Sequence, residues 1–209
     1  MSIPATAKRF PPEALPGFEK AHRYWEDSTQ SWIAQILPGE YYVTMSTEVL
    51  ATVLGSCVST CIRDTRTGLG GMNHFMLPYD PGREKEGEAM RYGCFAIERL
   101  INELLKRGAK RGYLEVKVFG GGHVLPGVAG DIGKANVEFV RQYLRDEGLP
   151  VRSEDVGGTC GRRLRYFPAT GKALVKHLEM NETRAVAVQE TAHERALRMK
   201  RVHGDVELF

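Results

Sequence analysis

No run of about 20 consecutive apolar residues interrupts this 209-residue chain, which excludes a helix built to span a bilayer. The opening stretch, Met1-Ser2-Ile3-Pro4-Ala5-Thr6-Ala7-Lys8-Arg9, lacks the apolar centre of a secretory leader, so a cytoplasmic protein is expected. Charge of one sign is also scarce. The formal net charge is only +3, with acidic residues interleaved among the basic ones, and this gives nucleic acid no broad basic surface. There is no internal repeat and no low-complexity tract. Cysteine is sparse, with four scattered as Cys57, Cys61, Cys94 and Cys160, which is no disulfide framework in a chain large enough to build its own core. A zinc site would need Cys57 and Cys61 joined by His74 or His123. Strand positions four apart lie about 13 Å from one another, too far to grip one ion or to form a disulfide. Neither a metal nor a cofactor is expected.

What is present is an ordinary globular composition, 42% hydrophobic and 26% charged, and one unusual stretch from Leu50 to Pro78. Glu48 to Leu54 is apolar and β-branched, Gly55-Ser56 breaks it, and Val58 to Asp64 resumes as a second strand. Cys57 therefore follows a bend. A glycine there lets N–H groups converge on one point, which is how an oxyanion pocket forms, and Gly55 and Ser56 are candidates for it. Thr65 to Gly68 reads as a turn, and Leu69 to Pro78 as a strand carrying His74. Pairing the two strands as a hairpin brings His74 towards Cys57. A free thiol is mostly protonated at neutral pH, so a nucleophilic cysteine needs a neighbour to take its proton, and histidine suits that role. Thr52, Ser56, Asn73 and Asp64 are all available to fix the imidazole tautomer, and Asn73 is also a candidate substrate-binding or oxyanion residue. A buried cysteine in an apolar strand is otherwise simply core.

The run Thr52-Val53-Leu54-Gly55-Ser56-Cys57-Val58, followed by Gly70-Gly71-Met72-Asn73-His74-Phe75-Met76-Leu77-Pro78, resembles the signature of the CheD family of chemoreceptor glutamine deamidases. Two later blocks are similar to that family as well. They are Lys117-Val118-Phe119-Gly120-Gly121-Gly122, and Asp155-Val156-Gly157-Gly158 with Gly161-Arg162-Arg163 and Phe167-Pro168-Ala169-Thr170-Gly171. The resemblance implies a cysteine hydrolase that converts receptor glutamines to glutamate, with Cys57 as nucleophile, His74 as base and Thr52 as third member. It implies as partners the cytoplasmic helices of chemoreceptors, the methyl-accepting chemotaxis proteins, and a CheC-type phosphatase. A non-catalytic regulator binding either partner is the alternative. The expected fold is α+β, with mixed β-sheets packed as a sandwich and flanked by helices.

Three segments are expected: an extension over residues 1–38 packed on the core, a deamidase domain over 39–190, and a basic tail over 191–209. Aromatic residues in the extension need burial, and a short helix from Glu19 to Gln35 is expected there. Tyr79 to Glu88 reads as a loop, and Cys94 to Lys106 as an amphipathic helix. Tyr113 to Phe119 alternates as a strand, and the glycines after it, with Gly120 and Gly121 as candidate substrate or oxyanion residues, suit close backbone approach to the cleft. His123 is a second candidate base. Ile132 to Glu147 is expected as a helix and Val151 to Val156 as a strand. Arg162, Arg163 and Arg165 are expected on a solvated edge strand of a terminal hairpin, where they could steer an acidic partner. A low-pKa thiolate is expected at Cys57 alone.

Overall fold

A computed structural model describes residues 10–77, 86–124 and 132–201. Ten strands form two five-stranded mixed sheets. The first contains β1 (Arg23–Glu26), β2 (Ser31–Gln35), β4 (Val49–Leu54), β9 (Arg162–Phe167) and β10 (Lys172–His177), in the order β1-β2-β4-β9-β10. The second contains β3 (Tyr41–Thr44), β5 (Val58–Asp64), β6 (Gly70–Asn73), β7 (Leu114–Gly120) and β8 (Val151–Val156), in the order β3-β6-β5-β7-β8. Pairing is antiparallel except for β2 with β4 and β7 with β8. Helices α1 (Glu86–Lys106) and α2 (Ile132–Asp146) cover the second sheet, and α3 (Met180–Arg201) follows β10.

Burial follows from this layering. Every residue of β5 from Val58 to Ile62 is buried, as a strand covered on both faces must be. In β9 the alternation puts Arg162, Leu164 and Tyr166 inside and Arg163 outside. One apolar cluster joins Leu50, Leu54, Leu164 and Tyr166 of the first sheet to Val58, Ile62 and Val118 of the second, and to Ile97, Leu100, Val140 and Leu144 of the helices. Among the described residues no helix is long and apolar enough to cross a membrane.

Three expectations are corrected. Residues 19–35 form no helix; β1 and β2 make an antiparallel hairpin in register Trp25↔Trp32, with ring centroids 5.9 Å apart. Aromatic and β-branched side chains favour the pleated surface, and a turn at Asp27 to Gln30, held by Gln30 Nε2 donating to Asp27 O, interrupts any helical face. Helix α1 begins at Glu86, so Gly93 lies inside it, at its close approach to Phe139 of α2. The rest of the expected 79–88 loop lies outside the described residues. Finally, β9 is an interior strand between β4 and β10, and its arginines pair internally. Buried Arg162 donates to Asp155 and Gly157 O, Arg163 contacts Glu182, and Arg165 grips Glu26 through two bonds of 2.6 and 2.5 Å. Arg162 and Arg165 are thereby committed to the fold, while Arg163 stays at the surface beside an exposed carboxylate.

Candidate active site

β4 ends at Leu54 and β5 starts at Val58, so residues 55–57 form the tight crossing between the two sheets. β5 turns back into β6, and the pairing continues one step beyond it: Val58 N donates to Phe75 O at 2.9 Å and Phe75 N to Val58 O at 3.0 Å. This register brings His74 beside Cys57. The thiol sulfur, a ring nitrogen of His74 and a carboxylate oxygen of Glu190 lie within 4.8 Å of one another, and all three residues are buried.

Thr52 reaches this group from the first sheet. Its Oγ1 is 2.8 Å from His74 Nδ1 and 2.7 Å from Ile36 O. A carbonyl can only accept, so the hydroxyl proton goes to Ile36 O, and the hydroxyl oxygen accepts from Nδ1–H. This assigns the tautomer: Nε2 keeps its lone pair, and it has no hydrogen-bond partner among the described residues. Burial lowers the His74 pKa to about 4, opposed by the nearby Glu190 carboxylate, so the ring is neutral at neutral pH.

The crossing itself is clamped from behind. Gly121 N donates to Cys57 O at 2.8 Å, Gly122 N to Gly55 O at 2.7 Å, and Asn136 Nδ2 to Ser56 O at 2.8 Å. Gly120 and Gly121 hold φ of 108° and 64°, a left-handed course that glycine follows without strain. In a trans peptide the C=O and N–H point opposite ways, so fixing the carbonyls of Gly55 and Ser56 aims the N–H groups of Ser56 and Cys57 out of the far side. There, with the Gly55 N–H, they converge on Glu190. Gly55 N and Cys57 N donate to Oε1 at 2.8 and 3.1 Å, and Ser56 N and Ser56 Oγ both donate to Oε2 at 2.7 Å. A Cβ at residue 55 would lie 2.7 Å from Glu190 Oε2 and from Val124 Cγ2, which explains the glycine. Convergent N–H dipoles make an anion site. A cation bound by Cys57, His74 and Glu190 would face those positive ends and displace the bonds already made to the carboxylate.

The low-pKa thiolate expected at Cys57 is not what this state presents. Burial pushes its pKa well above the ordinary value, and the Glu190 carboxylate raises it further; Cys61 is pushed up by burial too. Asn73 sits next to His74 but is occupied elsewhere: Oδ1 accepts from Thr60 N and Oγ1, and Nδ2 donates to Ala96 O. Asp64 lies at the far end of β5, accepting from Arg66, Thr67 and Lys110 amides. His123 is exposed and stands apart from the cluster. Two residues were missed by sequence reasoning. Asn136 is a fully buried amide on the apolar face of α2, tying Ser56 O to Leu77 N, and a polar residue on such a face is a readable signal. Glu190 had no local signal.

A buried thiol, a neutral imidazole with an open lone pair and a cradle of N–H donors are the working parts of a thiol-dependent hydrolase site. A family model described as CheD chemotactic sensory transduction matches residues 76–177. The chain is 45% identical over 202 residues to the probable chemoreceptor glutamine deamidase CheD of Hahella chejuensis, an alignment covering 95% of each. It is 47% identical over 204 residues to the protein of that name from Halorhodospira halophila, covering 95% of this chain and 94% of the relative. With that of Cupriavidus metallidurans it shares 47% over 206 residues, 95% and 92% of the two chains. The chain belongs to the CheD family.

Proposed function

We propose that this protein is a cytoplasmic chemoreceptor glutamine deamidase, hydrolysing receptor glutamine side chains to glutamate and ammonia. The observation that carries the reading is the anion cradle of Gly55, Ser56 and Cys57 opening beside a thiol and an unprotonated imidazole nitrogen. With a glutamine side chain in place of the Glu190 carboxylate, an amide oxygen at the Oε1 position meets the N–H groups of Gly55 and Cys57. Cys57 passes its proton to His74 Nε2 and the sulfur attacks Cδ. Charge collects on the oxygen within the cradle, where a single such donor is typically worth ~10²–10³ in rate. The protonated imidazole then delivers its proton to the amide nitrogen, the C–N bond breaks and ammonia leaves a thioester. Water, deprotonated by His74, attacks the thioester, and the thiol and glutamate are released.

Thr52 holds the imidazole in the competent tautomer throughout, and Asn136, Gly121 and Gly122 hold the cradle. Free glutamine, which lacks the helix around it, should be a poor substrate. A non-catalytic regulator of receptors or of a CheC-type phosphatase would have no use for a tautomer lock at Thr52. The test is intact-mass and ammonia analysis of a receptor cytoplasmic fragment incubated with wild-type protein and with Cys57→Ala. Conversion that needs the thiol supports the reading, and conversion by both proteins, or by neither, overturns it.

A further inference from the structure

Glu190 is the one component of the cluster that the reaction does not use, yet it takes every donor the reaction needs. It arrives on α3, a helix whose face toward the body is Thr183, Val186, Ala187, Glu190 and Glu194, spaced by three and four residues. The helix is anchored at its start, where Leu178 N donates to Gly161 O and Gly161 N to Thr183 Oγ1 at 3.1 Å. A glutamate on a helix, its carboxylate in the cradle next to the thiol, is chemically the product of deamidating a glutamine on a helix.

We propose that α3 occupies the seat of the receptor helix and holds it as a built-in product, so that substrate binds only when α3 swings away. This rests on the deamidase reading and specifies its substrate. The seat takes an α-helix entering side-on, with the reacting glutamine at the Glu190 position. Small or short side chains are required one turn before it, where Ala187 and Val186 lie against the body at 9% and 8% exposure. Bulky residues three or four positions before a glutamine would exclude it as a site. The closed state also silences the enzyme: the cradle is filled, and a neighbouring carboxylate opposes formation of the Cys57 thiolate.

The decisive experiment turns α3 into substrate. In Glu190→Gln the amide at residue 190 lies where the carboxylate was. Cys57 adds to its Cδ, the C–N bond breaks with a proton from His74, ammonia leaves, and water cleaves the thioester to give glutamate at 190. Purified Glu190→Gln should therefore carry glutamate at that position by peptide mass mapping, and the double variant Glu190→Gln with Cys57→Ala should keep glutamine. If residue 190 stays glutamine while wild-type protein deamidates a receptor fragment, the seat is elsewhere and only this inference falls. If neither is converted, the deamidase reading falls with it. A second variant reads the closure. Ala187→Arg should unseat α3 and lower KM for a receptor fragment by ~10-fold at unchanged kcat, because the competent fraction rises without altering the chemistry. An unchanged or raised KM overturns the closure.

Discussion

The two ends of β4 each close over a buried carboxylate, and the contrast between them separates architecture from chemistry. Just before the strand, Glu48 is met by the Arg23 guanidinium at 3.1 Å and by the hydroxyls of Tyr42, Thr44 and Ser46, each at 3.0 Å. Just after it, Glu190 is met by backbone N–H groups and one hydroxyl, supplied by three consecutive residues. A carboxylate paired with a fixed cation and three side chains has no ready replacement. One held by peptide dipoles can be exchanged for any group offering an oxygen of similar charge. On the proposal above, the first end stays shut and the second changes occupants.

The largest effect that could break this contrast lies at the exchangeable end. Cys57→Ala should abolish turnover on a receptor fragment, and His74→Gln should reduce it by ~10²–10⁴, the usual contribution of a general base. Both variants should melt close to wild type in calorimetry. At the other end, Glu48→Ala should cost about 3 kcal/mol of stability, because it removes the carboxylate facing the largely buried Arg23 guanidinium, whose remaining bond to Pro12 O brings no countercharge, and kcat of the folded fraction should be unchanged. A denaturant titration paired with initial rates measures both. Should Glu48→Ala abolish turnover while leaving stability intact, the division between the two ends would be wrong.

A smaller effect sharpens the comparison. Thr52→Val keeps the shape but removes the hydroxyl that orders the imidazole, so kcat should fall by roughly tenfold to a hundredfold, less than for His74→Gln. The last concerns acid. His74 moves from its ordinary 6.5 to about 4 on folding. Between those values the unfolded chain binds more protons, so stability falls as pH drops from 6.5 through about 4. Replacing His74 with Gln should flatten that part of the stability profile, whereas Glu48→Ala should leave it in place.

What the sequence made legible was local. Cys57 immediately precedes one strand of a hairpin and His74 immediately follows the other, and the Gly55-Ser56 break announced the crossing between sheets. Alternation identified β7, where Leu114, Val116 and Val118 fall on one face, and in β9 it set Arg162, Leu164 and Tyr166 opposite Arg163. The N-terminal hairpin was misread because Phe18, Tyr24, Trp25 and Trp32 only demand burial; their spacing does not choose between a helix and a pleat. That β9 lies inside its sheet depends on strand order, which no period in the residues encodes. Glu190 meets Ser56 across 134 positions, and an acidic residue within a charged helix looks solvated until the helix is docked.

Thr52 belongs to one sheet and His74 follows β6, an interior strand of the other, so their 2.8 Å contact spans the interface of the sandwich. The proton inventory of the imidazole is thus wired to the alignment of two separate layers. A slip of either layer by a fraction of an ångström would lengthen that bond and free the ring to take the idle tautomer, with every strand still paired. On the proposed mechanism, turnover is a vernier on the assembly of this fold, read out at a finer scale than secondary structure or melting temperature can report.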